Sequence, residues 1–491
     1  MLVPWVMEEM KTAEFEDKRL NERLKAVLSA LAERPTASIP AACGGHGEMV
    51  AAYRFFDNHK VTYERILAPH IERTLERMAA QPVVLLVQDT TELDFTRPEQ
   101  QMIGAGSLDG SARCGAFLHP LVAFTPDGTP LGTCWTTIWT RDQPPPETRR
   151  EKEKRLKSTP IEEKESQRWI DGLRQAGEVA RQVPAVKCVC IADSEADIYE
   201  LFAEPRGEAS AEWLVRACQD RAVLKEPGNP DDTARHIRQA VESQPVLFSH
   251  EISVRGRAPA KIACETRSRR QPRESRRAVV EVRATTVTLR GPARPGSKLP
   301  AVTVNVVQVR EVNPPPSDVP VEWLLVTSLP IESVEQVREI IQYYAARFMI
   351  EVLFHVLKSG CRVEERRFEH IDRMLPCVAV YLIVAWRTLM ICRLGRSAPE
   401  LDCEAIFDPA EWKSVWMTVR GTEPPSRPPK LGEFLRLVAQ LGGYVDYPNR
   451  KDPPGPQTLW LGLQRMYDLA LAWNTFGPGA SKDKPPEETY V

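Results

Sequence analysis

The chain lacks the marks of export and of membrane insertion. Met1–Met10 opens apolar but turns acidic at Glu8 and Glu9, with no basic leader and no small-residue cleavage site. In 491 residues the longest apolar run, Met374–Trp386, is 13 residues closed by Arg373 and Arg387, short of the ~18–20 needed to cross a bilayer. A buried helix is the expectation there. No CxxC pair occurs among the eleven cysteines, scattered from Cys43 to Cys403, so they read as reduced core thiols of a cytosolic protein. The nearest pair, Cys188 and Cys190, shares one face if that segment is a strand. Charge of one sign is also lacking: 65 Lys+Arg against 67 Asp+Glu give a net −2. With 42% apolar and 27% charged residues, the composition is that of an ordinary soluble globular protein, long enough for several domains.

What is present changes texture along the chain. Residues 1–80 carry helical spacing, as in Leu20, Leu24, Leu28 and Leu31, with 11 basic and 12 acidic residues and hence no basic footprint. Residues 81–221 turn to β-type runs at Val83–Val87, Phe117–Phe124, Leu131–Thr140, Val186–Ile191 and Trp213–Ala217, with helical material at Ile161–Val183. That order describes a mixed α/β sheet. Pro144–Pro146 and the charge-dense Arg149–Lys157 stretch predict an exposed loop leading into a solvated helix. Residues 222–330 form a β-rich insertion, with runs at Val279–Val282, Thr285–Leu289, Ala301–Val309 and Trp323–Thr327. Within it, Arg255–Lys298 holds 13 basic against 3 acidic residues, a patch suited to a polyphosphate partner or, equally, a soluble arginine-rich loop. Residues 331–370 contain one helical pattern, Val334–Lys358, free of Gly and Pro. Helical segments fill 371–476, and 477–491 is an expected disordered tail.

Three acids stand where folding alone does not ask for them. Asp89 follows the strand Val83–Val87, Asp193 follows Val186–Ile191, and Glu351 lies among the apolar Ile350, Val352 and Leu353. Apolar strands ending in Asp put carboxylates at the rim of a sheet, where open α/β folds bind ligands. If the Glu351 helix packs beside that rim, three oxygen donors converge, a set that hard divalent ions such as Mg²⁺ prefer. That predicts metal-assisted phosphoryl transfer. The competing reading of Asp193 is an N-cap or turn former, and Asp94, Asp197 and Glu92 are neighbouring acids without an assigned role. Tyr344, Arg347, Glu351 and Lys358 recur at spacings of 3, 4 and 7, so one helix face presents a phenol, a guanidinium, a carboxylate and an ammonium. Such a face holds a phosphate beside a metal.

This pattern, Tyr344-xx-Arg347-xxx-Glu351-xxxxxx-Lys358, resembles the Tyr, Arg, Glu, Lys signature of the bacterial insertion-sequence DDE transposases, most closely the group that moves a composite kanamycin-resistance transposon. Asp89-Thr90-Thr91 resembles that family's first-Asp motif. Asp193-Ser194-Glu195-Ala196-Asp197-Ile198 resembles its second, which has Arg where this chain has Ser194. Weaker similarity runs through Lys164-Glu165-Ser166, Asn313-Pro314-Pro315, Trp323–Ser328 and Leu441–Tyr444. The resemblance implies an α/β fold: an RNase-H-like catalytic core in 81–221 and 331–370 with the β-rich insertion, an N-terminal helical DNA-end-binding domain and a C-terminal helical dimerisation region. It implies a metal triad of Asp89, Asp193 and Glu351, two Mg²⁺ ions for which Mn²⁺ can substitute, and DNA phosphate contacts from Tyr344, Arg347 and Lys358. Trp323 falls where the family stacks an aromatic on a flipped base; a core strand residue is the other reading. Arg23 and Arg54 fall near end-recognition positions, and Arg367 and Glu369 resemble DNA contacts beyond the signature. Where the family often carries a basic residue after its catalytic Glu, this chain has Phe354 and His355. The implied partners are double-stranded DNA, as transposon ends and target, and a second copy of the chain in a synaptic complex; no membrane is implied, and the location is the bacterial cytoplasm, at the nucleoid. The implied activity is cut-and-paste transposition, against a non-catalytic transposition inhibitor or an RNase-H-like nuclease without strand transfer.

Overall fold

The computed structural model describes residues 3–109, 112–142, 148, 150–151, 155, 158–207, 210–225, 235–254, 256, 274–294, 297–316, 318–447 and 453–478. Pro144–Pro146, most of Arg149–Lys157, the basic run 257–273 and the tail beyond 478 lie outside the described residues. The main helices and strands of the first half, in chain order, are α1 (Pro4–Glu9), α2 (Lys18–Glu33), α3 (Ile39–Cys43), α4 (His46–Phe56), α5 (Tyr63–Ala79), β1 (Val83–Gln88), β2 (Thr91–Asp94), β3 (Cys114–Phe124), β4 (Pro130–Trp139), α6 (Gln167–Gln182), β5 (Lys187–Ala192) and β6 (Glu212–Arg216). Then come β7 (Phe248–Val254), β8 (Arg276–Leu289), β9 (Val302–Glu311), β10 (Glu322–Thr327), α7 (Val334–Ala346), α8 (Phe348–His355), α9 (Ile371–Ser397), α10 (Pro409–Arg420), α11 (Leu431–Leu441) and α12 (Pro456–Phe476). They form two compact units interleaved in sequence: residues 1–80, 90–144 and 349–491, and residues 81–89 and 145–348.

The second unit is a mixed sheet in the order β1-β5-β6-β10-β9-β8-β7. β1, β5 and β6 run parallel, whereas β6–β10, β10–β9, β9–β8 and β8–β7 are antiparallel. The parallel strands are buried almost without interruption, which is why they read as continuous apolar runs rather than alternating ones. Cys188 and Cys190 sit buried on one face of β5, and burial pushes their thiols up to about 11 and about 12, as inert core thiols require. β8 is one strand where the sequence suggested two, because Arg283 and Ala284 continue the ladder with β9. α6 covers β5 and β1, burying Trp169, Ile170, Leu173 and Ala176.

The first unit is built around α9. By length and composition this helix could span a bilayer, yet 89% of its most apolar window is buried, as in the core helix of a folded domain. It packs against α2, α4, α5, α11, α12 and the strand β4, and β4 in turn pairs with β3 and β3 with β2. α2 starts on Asp17, whose side chain accepts the Arg19 N–H at 2.9 Å, and α5 starts on Thr62, which accepts the Arg65 N–H at 3.3 Å. One buried polar network ties four elements of this unit together. Glu9 of α1 receives the Arg77 fork at 2.8 and 3.0 Å and the His70 Nδ1 at 2.5 Å. His70 Nε2 accepts the Thr133 N–H of β4 at 3.0 Å, so Nδ1 carries the proton. Arg77 also donates to the Leu131 carbonyl at 2.6 Å and lies 4.4 Å from the ring centre of Trp386 in α9.

Burial alone would raise the Glu9 carboxyl, but the hydrogen bonds from His70 and Arg77 and the Arg77 charge outweigh it and hold the group at about 2, below its ordinary 4.5. A depressed folded value means that the stabilisation is complete above pH 4.5 and lost as pH falls toward 2. Glu9→Gln should therefore cost about 3–5 kcal/mol near neutrality, the cost of breaking a buried charge pair. Thermal melts of both proteins from pH 7 down to pH 2.5 check this: the gap should shrink below pH 4.5, and parallel curves at every pH would remove Glu9 as the charged centre of the network.

Candidate functional site

In β1 and β5 the parallel register pairs Val83 with Lys187 and Val87 with Ile191. Carried two residues further, the same register sets Asp89 beside Asp193, just past the carboxyl ends of adjacent parallel strands. Across β5 and β6, Ala192 pairs with Val215, so the next step sets Asp193 beside Arg216. Both aspartates are half-buried. Asp193 does cap the turn that follows, its carboxylate accepting the Glu195 N–H at 2.8 Å. The capping and rim readings thus hold together, since the cap engages one carboxylate oxygen.

Arg347 joins the rim from the signature helix, its guanidinium 3.2 Å from the Asp89 carboxylate, with both side chains 14% exposed. At this burial the pair is screened less than a surface pair and offsets the repulsion of two neighbouring carboxylates. Tyr344 is buried, and its phenol is pushed up by desolvation, lowered again by Arg347 and Arg216, and raised by Asp193. Trp323, half-buried in β10, meets the Tyr344 ring edge-on at 5.2 Å, and Arg216 donates to the Glu322 carbonyl beside it at 3.0 Å. Asp89, Asp193, Arg347, Tyr344 and Trp323 are thereby gathered in one unit.

The helical pattern predicted across Val334–Lys358 is not one regular helix. α7 begins with a Ser333/Gln336 capping box, Arg347 lies between α7 and α8 with φ −49° and ψ −36°, and Val356–Gly360 is a π turn. Glu351 is exposed on α8, one turn past Arg347. The widened turn takes Lys358 off the 3.6-residue spacing on which a shared face depended, and its Nζ lies 3.7 Å from Glu364.

The outlying candidates fall in the first unit. Arg23 pairs with Glu48 at 2.5 Å. Arg54 is exposed in the last turn of α4, and Arg367 and Glu369 are exposed on either side of Phe368. Phe368 packs edge-on against Tyr53 at 5.9 Å and Phe56 at 5.7 Å, which brings the Arg54 helix and the Arg367 segment to one surface.

Two further residues, neither assigned a role from sequence, support the rim. Asp197 is 3% exposed and accepts from the Cys218 and Gln219 N–H groups at 2.8 and 2.7 Å and from Arg221 at 2.6 Å, clamping the turn behind Asp193 to the segment after β6. Its acidity marked it only as a neighbour; the partner is 24 residues away. Gln88, buried just before Asp89, donates to the Trp169 carbonyl at 3.3 Å, and a Cβ on Gly172 would fall 2.1 Å from its amide oxygen. A polar residue closing an apolar strand was the available clue.

Among the described residues, no three His, Cys, Asp or Glu side chains stand together as a ready-made metal set. The donor chemistry nonetheless suits a hard divalent ion: Asp89 and Asp193 are adjacent carboxylates at a sheet rim, and the cation that now faces Asp89 is Arg347.

Three family matches follow one another along the chain: transposase DNA-binding over residues 3–61, transposase DDE domain over 165–374, and Tn5 transposase dimerisation domain over 383–472. The DDE match contains Asp193 and Glu351, while Asp89 precedes it. Among solved structures, a piggyBac transposase in a synaptic complex with hairpin DNA aligns over 92% of this chain and 79% of that one, at 9% identity and a TM-score of 0.37, too low to carry any argument. The mixed sheet is accordingly an RNase-H-like core, DNA is a partner, and a second copy of the chain is another. With DNA-binding, DDE and dimerisation regions in that order, the chain belongs to the Tn5-type DDE transposases.

Proposed function

We propose that this transposase works by cut-and-paste: it binds transposon ends in the bacterial cytoplasm, at the nucleoid, as a homodimer, nicks each end with water, and lets the freed 3′-hydroxyl attack the opposite strand to give a hairpin. Water then opens the hairpin, and the 3′-hydroxyl attacks target DNA. The observation that supports this reading best is the matched register of Asp89 and Asp193 with Arg347 against the first of them. Asp89, Asp193 and Glu351 would hold the divalent metal, Mg²⁺ with Mn²⁺ as substitute. When bound, such ions polarise a phosphodiester and make water a better nucleophile.

The remaining work falls to side chains of this chain. Arg347, already desolvated at the rim, supplies a fixed guanidinium for a phosphate oxygen, and Tyr344 orients it from one turn before. Lys358 adds a second cation within the π turn. Trp323 offers an aromatic ring beside Tyr344 on whose face a flipped base can stack. Arg23 and Arg54 would recognise the transposon end, and Arg367 and Glu369 would contact DNA beyond the signature.

Asp89→Asn, Asp193→Asn and Glu351→Gln should each abolish cleavage while end binding in a gel shift stays near wild type, because each removes a ligand charge and little volume. Wild-type cleavage by any one of them would take that residue out of the triad. Asp94→Asn is the control expected to cut, since Asp94 serves a part-exposed pair with Arg113. Asp197→Asn is not a control: it should lower the melting temperature, because a buried carboxylate under Arg221 loses its charge.

Trp323→Ala should nick ends normally but accumulate nicked product with little hairpin. Stacking on an aromatic face returns ~1–3 kcal/mol of the cost of flipping a base. A packing role would act otherwise, lowering the melting temperature and reducing binding, nicking and hairpin formation together. The ratio of nicked to hairpin DNA, measured beside the melt, separates the two.

A further inference from the structure

Within the first unit, a cavity of about 20 Å³ lies among α1, α2, α9 and α12. Three side chains on its wall carry buried N–H groups with no hydrogen-bond partner: Trp5 Nε1, Arg387 Nε and Gln464 Nε2. The Gln464 amide is oriented by Thr36, whose hydroxyl lies 3.0 Å from its oxygen, so the nitrogen is the end left over. Arg387 makes one long bond to the Ile406 carbonyl at 3.4 Å and lies 5.2 Å from the Trp5 ring centre. Among the described residues no carboxylate pairs with it. The acids that act on it through space, Tyr467, Glu9 and Glu411, form no ion pair with it among the described residues, and burial pushes the Glu411 carboxyl up to about 7, where a carboxylate locked to Arg387 would be pulled below 4.5. The cavity thus offers donors and a desolvated positive charge, and each unmet donor is costly where it stands.

We propose that this cavity binds one monatomic anion of the halide class, chloride in solution, held by Trp5 Nε1, Arg387 and Gln464 Nε2. A space of this size admits one water or one such ion and excludes polyatomic anions. A water would satisfy the donors but set no negative charge beside the guanidinium, which Glu9 reaches only through space; a halide does both. The ion would fasten Trp5, from the stretch matched by the DNA-binding family, to Arg387 and Gln464, from the dimerisation match. This inference does not depend on the reaction scheme proposed above.

The test is melting of the full chain in potassium chloride and potassium glutamate at equal ionic strength, for the wild type, Trp5→Phe and Gln464→Met. Binding to the folded state raises the melting temperature, so the chloride-minus-glutamate difference should be about 2–4 °C more positive for the wild type than for either variant. Gln464→Met keeps the test open should Trp5→Phe fold poorly. Crystals soaked in bromide should show an anomalous peak among the three nitrogens. An identical salt difference in all three proteins, or density at that point without anomalous signal, would leave a neutral water there and overturn the proposal.

Discussion

The parallel pairing of β1 with β5 is the constraint on which the rest of the site depends. Two apolar strands buried on both faces can end only where the chain turns into polar surroundings, and here both end one residue before an aspartate in the same register. Side-by-side carboxylates repel, so the rim needs neighbouring donors. Asp193 has the Glu195 N–H, Asp89 has Arg347, and Arg216 stands next in register. The signature helix is tied to this pair of strand ends through Arg347, and Tyr344 and Trp323 follow from where that helix lies. A one-residue slip between β1 and β5 would separate the two aspartates by a strand step and turn one of them to the other face.

Much of this was legible because its cause is local. The runs Val83–Val87 and Val186–Ile191 announced buried strands, and the structure places them at Val83–Gln88 and Lys187–Ala192. Met374–Trp386 announced a core helix, and α9 buries it. The rim aspartates were legible for the same reason, since an acid directly after an apolar strand is conspicuous in one dimension. Asp197 shows the opposite case. Nothing near it in sequence distinguishes it from Asp94, yet one is sealed under Arg221 and the other shares a part-exposed pair with Arg113. Burial of a charge is decided by its distant partner. The Glu9, His70 and Arg77 network was hidden in the same way, its members being 61 and 68 residues apart.

Helix periodicity predicts one face for Tyr344, Arg347, Glu351 and Lys358, and the condition it rests on does not hold as far as Lys358. A spacing of 7 returns a side chain to its face only while the helix keeps 3.6 residues per turn. The π turn at Val356–Gly360 breaks that condition, and no Gly or Pro before Gly360 signals it. The sequence pattern therefore located the signature without locating its last member, and the Lys358–Glu364 approach, not the shared face, describes where that ammonium stands.

The basic stretch Arg255–Lys298 shows how charge counted in a window differs from charge displayed by a fold. Its 13 basic residues outnumber 3 acids within the window, but three of the described arginines find carboxylates beyond it. Arg276 pairs with Glu311 and Asp318, Arg277 with Glu251, and Arg294 with Glu200. Among the described residues, the Arg283–Glu281 pair lies inside it. Antiparallel strands cause this, because the ladder brings β8 against β7 and β9, whose acids a linear count assigns elsewhere. An arginine already paired can still meet a phosphate, but it must exchange one anion for another, so its contribution to DNA affinity and to counterion release is smaller than that of a solvated cation. For these four arginines, the excess of positive charge is a property of the sequence window more than of the folded surface.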